Sequence, residues 1–365
     1  MSPERVVLVA GASGVVGRAA LERLAPVHRT FGLSRRPPDT DAGRHLRVDL
    51  TDREATRRAL ADLPPVTHLV YAALFEKPGL LEGWVEADQM ETNRVMLEHC
   101  LEGLAGHPLA HVSLLQGTKA YGAHRMRMRV PGREREPRVE HPNFYWLQED
   151  LLRARAAQAD FAFTIWRPPV IVGHALGAPM NVLAVLGVYA AVAAETGEGF
   201  AFPGGACGPV DVVDARLLAD AFAWAMDATR PGHPARNATF NVTNGDVLHW
   251  PDLWPALADA LGVAPARDEP RRLAAWLPAR AAVWDDLRRR EGLRAPALGA
   301  FTGDSPIYAD MLFGHGRTTP PPPTLLSSVA LRKAGFAACI DSEDMFREWI
   351  ARLQETGLLP FPHRA

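Results

Sequence analysis

The chain has 365 residues, of which 47% are hydrophobic and 22% charged. That mix excludes wholesale disorder, and the length can bury a full core in one large or two smaller domains. Forty basic against 42 acidic residues leave a formal net charge of -2, which argues against a partner recognised through bulk phosphate electrostatics, so no nucleic acid is expected.

Three cysteines, Cys100, Cys207 and Cys339, lie far apart and form no metal knuckle or disulfide framework. With no leader or membrane segment visible, a reducing cytoplasm is the expectation, with no metal and no membrane partner. Only three of the 40 basic residues are lysines, namely Lys77, Lys119 and Lys333. An amine can change its protonation state and a guanidinium cannot, so a lysine retained beside a cofactor draws interest.

In chain order, residues 5–10 (RVVLVA) read as a buried strand and run into GASGVVG at 11–17, after which residues 15–24 show a helical pattern stopped by Pro26. Strands are predicted at 29–34, 45–50, 67–74, 109–115 and 161–167, and helices at 52–63, 86–104 and 143–158. Strands alternating with helices indicate parallel βαβ units in a doubly wound, Rossmann-type α/β sheet. The charged stretch 123–142 reads as a solvated excursion. From about residue 174 the character changes to a long apolar helix at 182–194, a Gly-rich turn at 203–208, and short strands at 210–213 and 238–243. The expected division is a nucleotide-binding domain at 1–173, with returning segments near 208–245, and a smaller interleaved substrate or lid domain at 174–365.

GASGVVG after a strand and before a helix is the setting of a dinucleotide-binding turn. Gly11 permits the turn, Gly14 lets the backbone approach a pyrophosphate, and Gly17 lets helix and sheet pack closely. Ser13 and Val15 belong to the same candidate phosphate cradle at the helix N-terminus. An NAD site carries an acid about 20 residues on, to hold the ribose 2′-hydroxyl. Here the second strand ends Ser34-Arg35-Arg36, which suits a 2′-phosphate and predicts NADP(H). Asp49 and Leu50 are expected to border the adenine, and Ala72 and Ala73 to lie beneath the phosphates and ribose.

The glycine spacing resembles the extended short-chain dehydrogenase/reductase superfamily, most of whose members carry Tyr-x-x-x-Lys on the helix after strand five. This chain has Tyr145, but Glu149 stands four residues on, and a lysine stands instead at 119 in LLQGTKAYG. That relocated pair, with THLVYAAL, PNFYWLQED, RPPVIVGHALGAPMN and FNVTNGD, resembles the progesterone 5β-reductase/iridoid synthase-like reductases. The resemblance implies Lys119 and Tyr145 as the catalytic pair, and Gln116, Ile171, Pro179 and Met180 around the nicotinamide and its ribose. It also implies NADPH-dependent reduction of an enone at its β-carbon, a small apolar carbonyl substrate and, from the superfamily, a homodimer. The loop departs from plant members, which carry one more residue between the glutamine and the lysine, and residues 265–320 match poorly.

In this reading Tyr145 donates to an enolate oxygen, and the Lys119 ammonium stabilises the same charge and lowers the phenol's pKa. Glu149 reads as a solvent-facing helix acid, Tyr121 as part of a structural turn, His111 as structural and Thr118 as a minor helper. Phe144, Trp146, Met180, Tyr189 and Trp84 are candidates for an apolar pocket lining. The alternatives are 1,2-reduction of a carbonyl, a sugar-nucleotide epimerase reaction, and a non-catalytic NADP(H) sensor.

Overall fold

A computed structural model describes residues 4–361. Seven strands form one parallel sheet: β1 (Val6–Ala10), β2 (Arg29–Ser34), β3 (Arg44–Arg47), β4 (His68–Tyr71), β5 (His111–Leu115), β6 (Ala162–Arg167) and, after two strands outside it, β9 (Ala238–Asn241). Their order is β3-β2-β1-β4-β5-β6-β9, with every pairing parallel. The chain runs outward from β1 to β3, then returns to place β4 on the other side of β1. That reversal opens a crevice at the carboxyl ends of β1 and β4, where open α/β sheets take their ligands.

Alternate residues of each strand serve the two faces. Leu8, Val112 and Ile165 join one core, while Val7, Val9 and Trp166 join the other. One face is covered by α2 (Arg53–Ala61), α3 (Ala87–Gly103) and α4 (Phe144–Ala159), and the other by α1 (Val15–Leu24) and α6 (Ala215–Ala225). The predicted strand at 45–50 stops at Arg47, because the Asp49 carboxylate accepts the N–H and hydroxyl of Thr51 and turns the chain. Asp52 then caps α2 by accepting the N–H of Ala55 at 2.9 Å.

After Pro168-Pro169 a strand that the sequence pattern did not reveal, β7 (Val170–Val172), pairs in parallel with β8 (Val212–Asp214) in a separate two-stranded sheet. The Pro pair reads as a stop, yet it only redirects the chain. A third core is built around α5 (Val182–Thr196), whose residues from Val182 to Ala193 are all buried, with Trp250, Trp254, Trp284, Phe313 and Phe346 packed about it. Short helices between residues 273 and 312 close this part over the crevice, among them α11 (Ser305–Leu312).

The 123–142 stretch is not a free excursion. Gly132 bridges to Leu326, Met128 is buried, Glu134 accepts the N–H of Asn241 at 2.8 Å, and Arg138 pairs with Glu149 and Asp150. Glu134 and Arg138 thus find partners on the sheet edge and on α4, while Arg125, Arg127, Arg135 and Glu140 are exposed, as the sequence suggests. No helix of the described residues is long and apolar enough to cross a membrane.

Candidate active site

A cavity of about 920 Å³ runs from the glycine turn along the strand ends to the α11 region. At its head, Gly11 takes φ +84°, and a Cβ there would stand 2.6 Å from the backbone of Ala72 and Ala73. A side chain at Gly17 would meet Gly11 O at 2.1 Å, so this glycine serves the packing of α1 on the turn and does not line the cavity. Gly14 differs: a Cβ there would meet only Gly11 O, at 3.4 Å, so the fold itself leaves room for one. Gly14 is the N-cap of α1 and no side chain caps that helix, which leaves first-turn N–H groups facing a cavity suited to an anion.

All the other residues singled out for cofactor binding line this cavity: Gly11, Ser13, Gly14, Val15, Ser34, Arg35, Arg36, Asp49, Leu50, Ala72, Ala73, Gln116, Tyr145, Ile171, Pro179 and Met180. Two of them have side chains engaged elsewhere. The Ser34 hydroxyl donates to Arg36 O at 2.7 Å and meets His45 Nε2 at 3.0 Å. The Gln116 amide donates to Tyr145 O and to Glu149, and its oxygen accepts from Arg167 at 3.0 Å, so it orders the loop behind the cavity. Arg35 and Arg36 are exposed and make no ion pair among the described residues.

Lys119 and Tyr145 both line the cavity. Asn143 caps α4 by accepting the Tyr145 N–H at 3.0 Å and donates its amide to Lys119 O at 2.8 Å, tying the two segments together. A Cβ on Gly117 would come within 3.2 Å of the Tyr145 hydroxyl, so the glycine makes room for the phenol. The electrostatics differ from the expected ones. Burial, together with the negative charge of Glu76, pushes the Tyr145 phenol up, and it stays protonated. The Lys119 ammonium does not depress it. It is turned to the face of Trp84, 3.6 Å from the ring centroid, with Glu76 Oε1 at 3.8 Å. Burial lowers the amine to about 8, against the opposing pull of Glu76.

Glu149 is 4% exposed, not a solvent-facing acid. It pairs with Arg138, Arg153 and Arg167 and accepts from Gln116, and these cations hold its carboxyl below the usual range against the cost of burial. Tyr121 donates to Asn241 at 2.7 Å and His111 meets Thr164 at 2.9 Å, both structural contacts. Phe144, Met180 and Trp84 line the cavity, as does Thr118, whereas Trp146 lies beside Arg138 and Arg167, and Tyr189 donates to Ala201 O in the α5 core. Cys100 and Cys207 are buried and Cys339 is exposed. Sequence reasoning missed Glu76, Tyr308 and Met311, which also line the cavity. Among the described residues no cluster of His, Cys, Asp and Glu could hold a metal ion.

The family model described as "NAD dependent epimerase/dehydratase family" matches residues 7–243. The chain belongs to this family. Within it, the chain is a member of the progesterone 5β-reductase/iridoid synthase-like group of extended short-chain dehydrogenase/reductases. It is 28% identical to a 3-oxo-Delta(4,5)-steroid 5-beta-reductase of Arabidopsis thaliana, over 98% of this chain and 94% of the relative. It is 31% identical to an (S)-8-oxocitronellyl enol synthase of Camptotheca acuminata, over 85% of this chain and 83% of the relative. Among solved structures, UDP-glucose 4-epimerase of Thermotoga maritima superposes with a TM-score of 0.65 at 16% identity, covering 96% of this chain and 99% of that one. At that identity the likeness concerns the fold. The protein is an oxidoreductase of this family and uses a nicotinamide nucleotide, which the uncapped helix N-terminus and the glycine cradle fit.

Proposed function

We propose that the protein is an NADPH-dependent reductase of α,β-unsaturated carbonyl compounds, with Tyr145 and Lys119 as its catalytic pair. The observation that carries this reading is that a phenol and an amine, both partly buried and from segments joined through Asn143, open on one largely apolar cavity whose other end is the glycine turn. The preference for the phosphorylated cofactor rests on Arg35 and Arg36, free of protein carboxylates at the end of β2, where an acid would serve the unphosphorylated ribose.

When bound, the nicotinamide supplies a hydride to the β-carbon of the enone. The electron pair of the C=C bond then moves toward the carbonyl oxygen, and the residues of the chain must hold that charge. Tyr145, kept protonated by burial, donates its O–H to this oxygen. The Lys119 ammonium adds positive potential in a setting from which water is largely excluded. A proton from solvent at the α-carbon completes the saturated ketone. Phe144, Met180, Trp84 and Met311 hold a small apolar carbonyl compound. Support for the substrate class comes from relatives named as a steroid 5β-reductase and enol synthases.

The test is to mix the pure protein with NADPH and 2-cyclohexen-1-one, follow the nicotinamide absorbance and analyse the product. Cyclohexanone is expected. The allylic alcohol would replace this reading with 1,2-reduction, and tight NADPH binding without turnover of enones or ketones would replace it with a sensor.

A further inference from the structure

Glu76 stands just past β4, on a segment clamped by α3. Asn93 exchanges hydrogen bonds with the backbone of Phe75, and Gln89 Oε1 accepts the Lys77 N–H, while Gln89 Nε2 donates to Glu76 Oε2 at 2.8 Å. The other carboxylate oxygen, Oε1, is shut off from solvent; burial raises the Glu76 carboxyl, and the Lys119 charge, with the Gln89 amide and the Trp84 indole, opposes that rise. Its nearest cation is the Lys119 ammonium at 3.8 Å, and the two side chains are 5% and 14% exposed. The neighbouring Lys77 is already paired with Glu86 and Asp88, so it does not neutralise Glu76.

The other titratable groups facing this pair carry no compensating charge. Burial and the Lys119 charge keep His124 neutral, with its pKa pushed down to about 4. Desolvation pushes the phenols of Tyr145 and of the buried Tyr308 upward, and both stay protonated. Among the described residues, Glu76 is the one carboxylate paired with Lys119. The Trp84 face adds attraction for a cation, though a ring quadrupole is weaker than a full charge.

We infer that Glu76 is a positioning residue, whose carboxylate holds the Lys119 side chain against Trp84 in its ammonium form. This rests on the reading of Lys119 as a catalytic group, but it can fail independently of that reading. A buried amine without its counter-charge gives up its proton more readily. Removal of the Glu76 charge therefore shifts Lys119 toward the neutral amine, and the substrate oxygen receives less positive potential.

The chain's three lysines make this directly measurable. Reductive methylation with ¹³C-formaldehyde labels Lys77, Lys119 and Lys333, and the Lys119 signal, assigned with Lys119→Met, is titrated by NMR without cofactor. In the unsubstituted protein its midpoint is expected near 8. Glu76→Gln is expected to lower it by at least about one pH unit, and Glu76→Asp, which keeps the charge on a shorter arm, by less. The alkaline limb of the NADPH-dependent kcat profile should move down by the same shift. An unmoved Lys119 midpoint in folded Glu76→Gln overturns the inference. Should Glu76→Gln not fold, a Glu76→Asp midpoint equal to that of the unsubstituted protein overturns it too. A shifted midpoint combined with full activity of Lys119→Met leaves the Glu76 role standing and removes Lys119 from the chemistry.

Discussion

The side-chain amide of Asn143 donates to the carbonyl oxygen of Lys119 at 2.8 Å. The same residue caps the helix that carries Tyr145, so one asparagine sets the register of both reactive segments. Asn143→Ala is expected to cost about 1–2 kcal/mol of stability, from the lost cap and an unpaired carbonyl. Activity should fall by more than the folded fraction does, since both segments lose their common tie. Thermal unfolding and kcat measured on the same preparations check this, and activity that merely tracks the folded fraction would refute it.

Tyr145→Phe removes a hydroxyl on the cavity wall that makes no protein hydrogen bond, so stability should hold while turnover drops about 10²–10³-fold. NADPH affinity, read by fluorescence titration, should stay close to that of the unsubstituted protein. Rates like those of the original would take the phenol out of the reaction.

Arg35→Ala combined with Arg36→Ala tests the cofactor preference. A charge-assisted contact is worth about 1.5–3 kcal/mol, so NADPH binding should weaken roughly 10- to 100-fold. NADH binding should change little, because the arginines have no other partner to lose among the described residues. Equal losses for both nucleotides would mean that these side chains do not read a 2′-phosphate.

The two glycines of the turn should respond in opposite ways. Gly11→Ala forces a Cβ to 2.6 Å from the Ala72 backbone at φ +84°, and should lower the melting temperature sharply. Gly14→Ala meets only a 3.4 Å contact, so stability should be kept while nucleotide affinity falls. Unchanged affinity in the second variant would place the phosphates elsewhere.

Asp211 gives a pH prediction. It is buried, accepts the Leu326 N–H at 2.7 Å, and burial raises its carboxyl to about 6. The folded state therefore holds a proton that the unfolded chain releases near 4. Stability falls as pH rises from about 4 to about 6, and the loss persists above that window. Asp211→Asn keeps the acceptor without the charge. It should be more stable than the original at pH 7.5, by up to roughly 3 kcal/mol, with a flatter profile between pH 4 and 6. A less stable variant at pH 7.5 would show that the carboxylate is compensated.

Local signals carried the first half of the molecule. The alternation of short apolar runs and helical stretches, with glycines at 11, 14 and 17, has its counterpart in a parallel sheet and a crevice beside β1. What stayed hidden depends on contacts distant in sequence. Glu149 looks like any helix-surface acid until a loop arginine, a helix arginine and a strand arginine surround it. Glu76 is one acid in a charged loop until α3 and the Lys119 loop close beside it. Tyr308 reaches the cavity from a short helix more than 160 positions after Tyr145, a pairing that no periodicity encodes.

The burial of Glu149 bears on how this scaffold can be changed. A lysine at 149, four places after the tyrosine, would restore the spacing common in the wider superfamily. Here it would put a fourth cation among Arg138, Arg153 and Arg167, with no anion left at their centre. Moving the amine from the loop to the helix therefore calls for compensating exchanges among these arginines, above all at the buried Arg167.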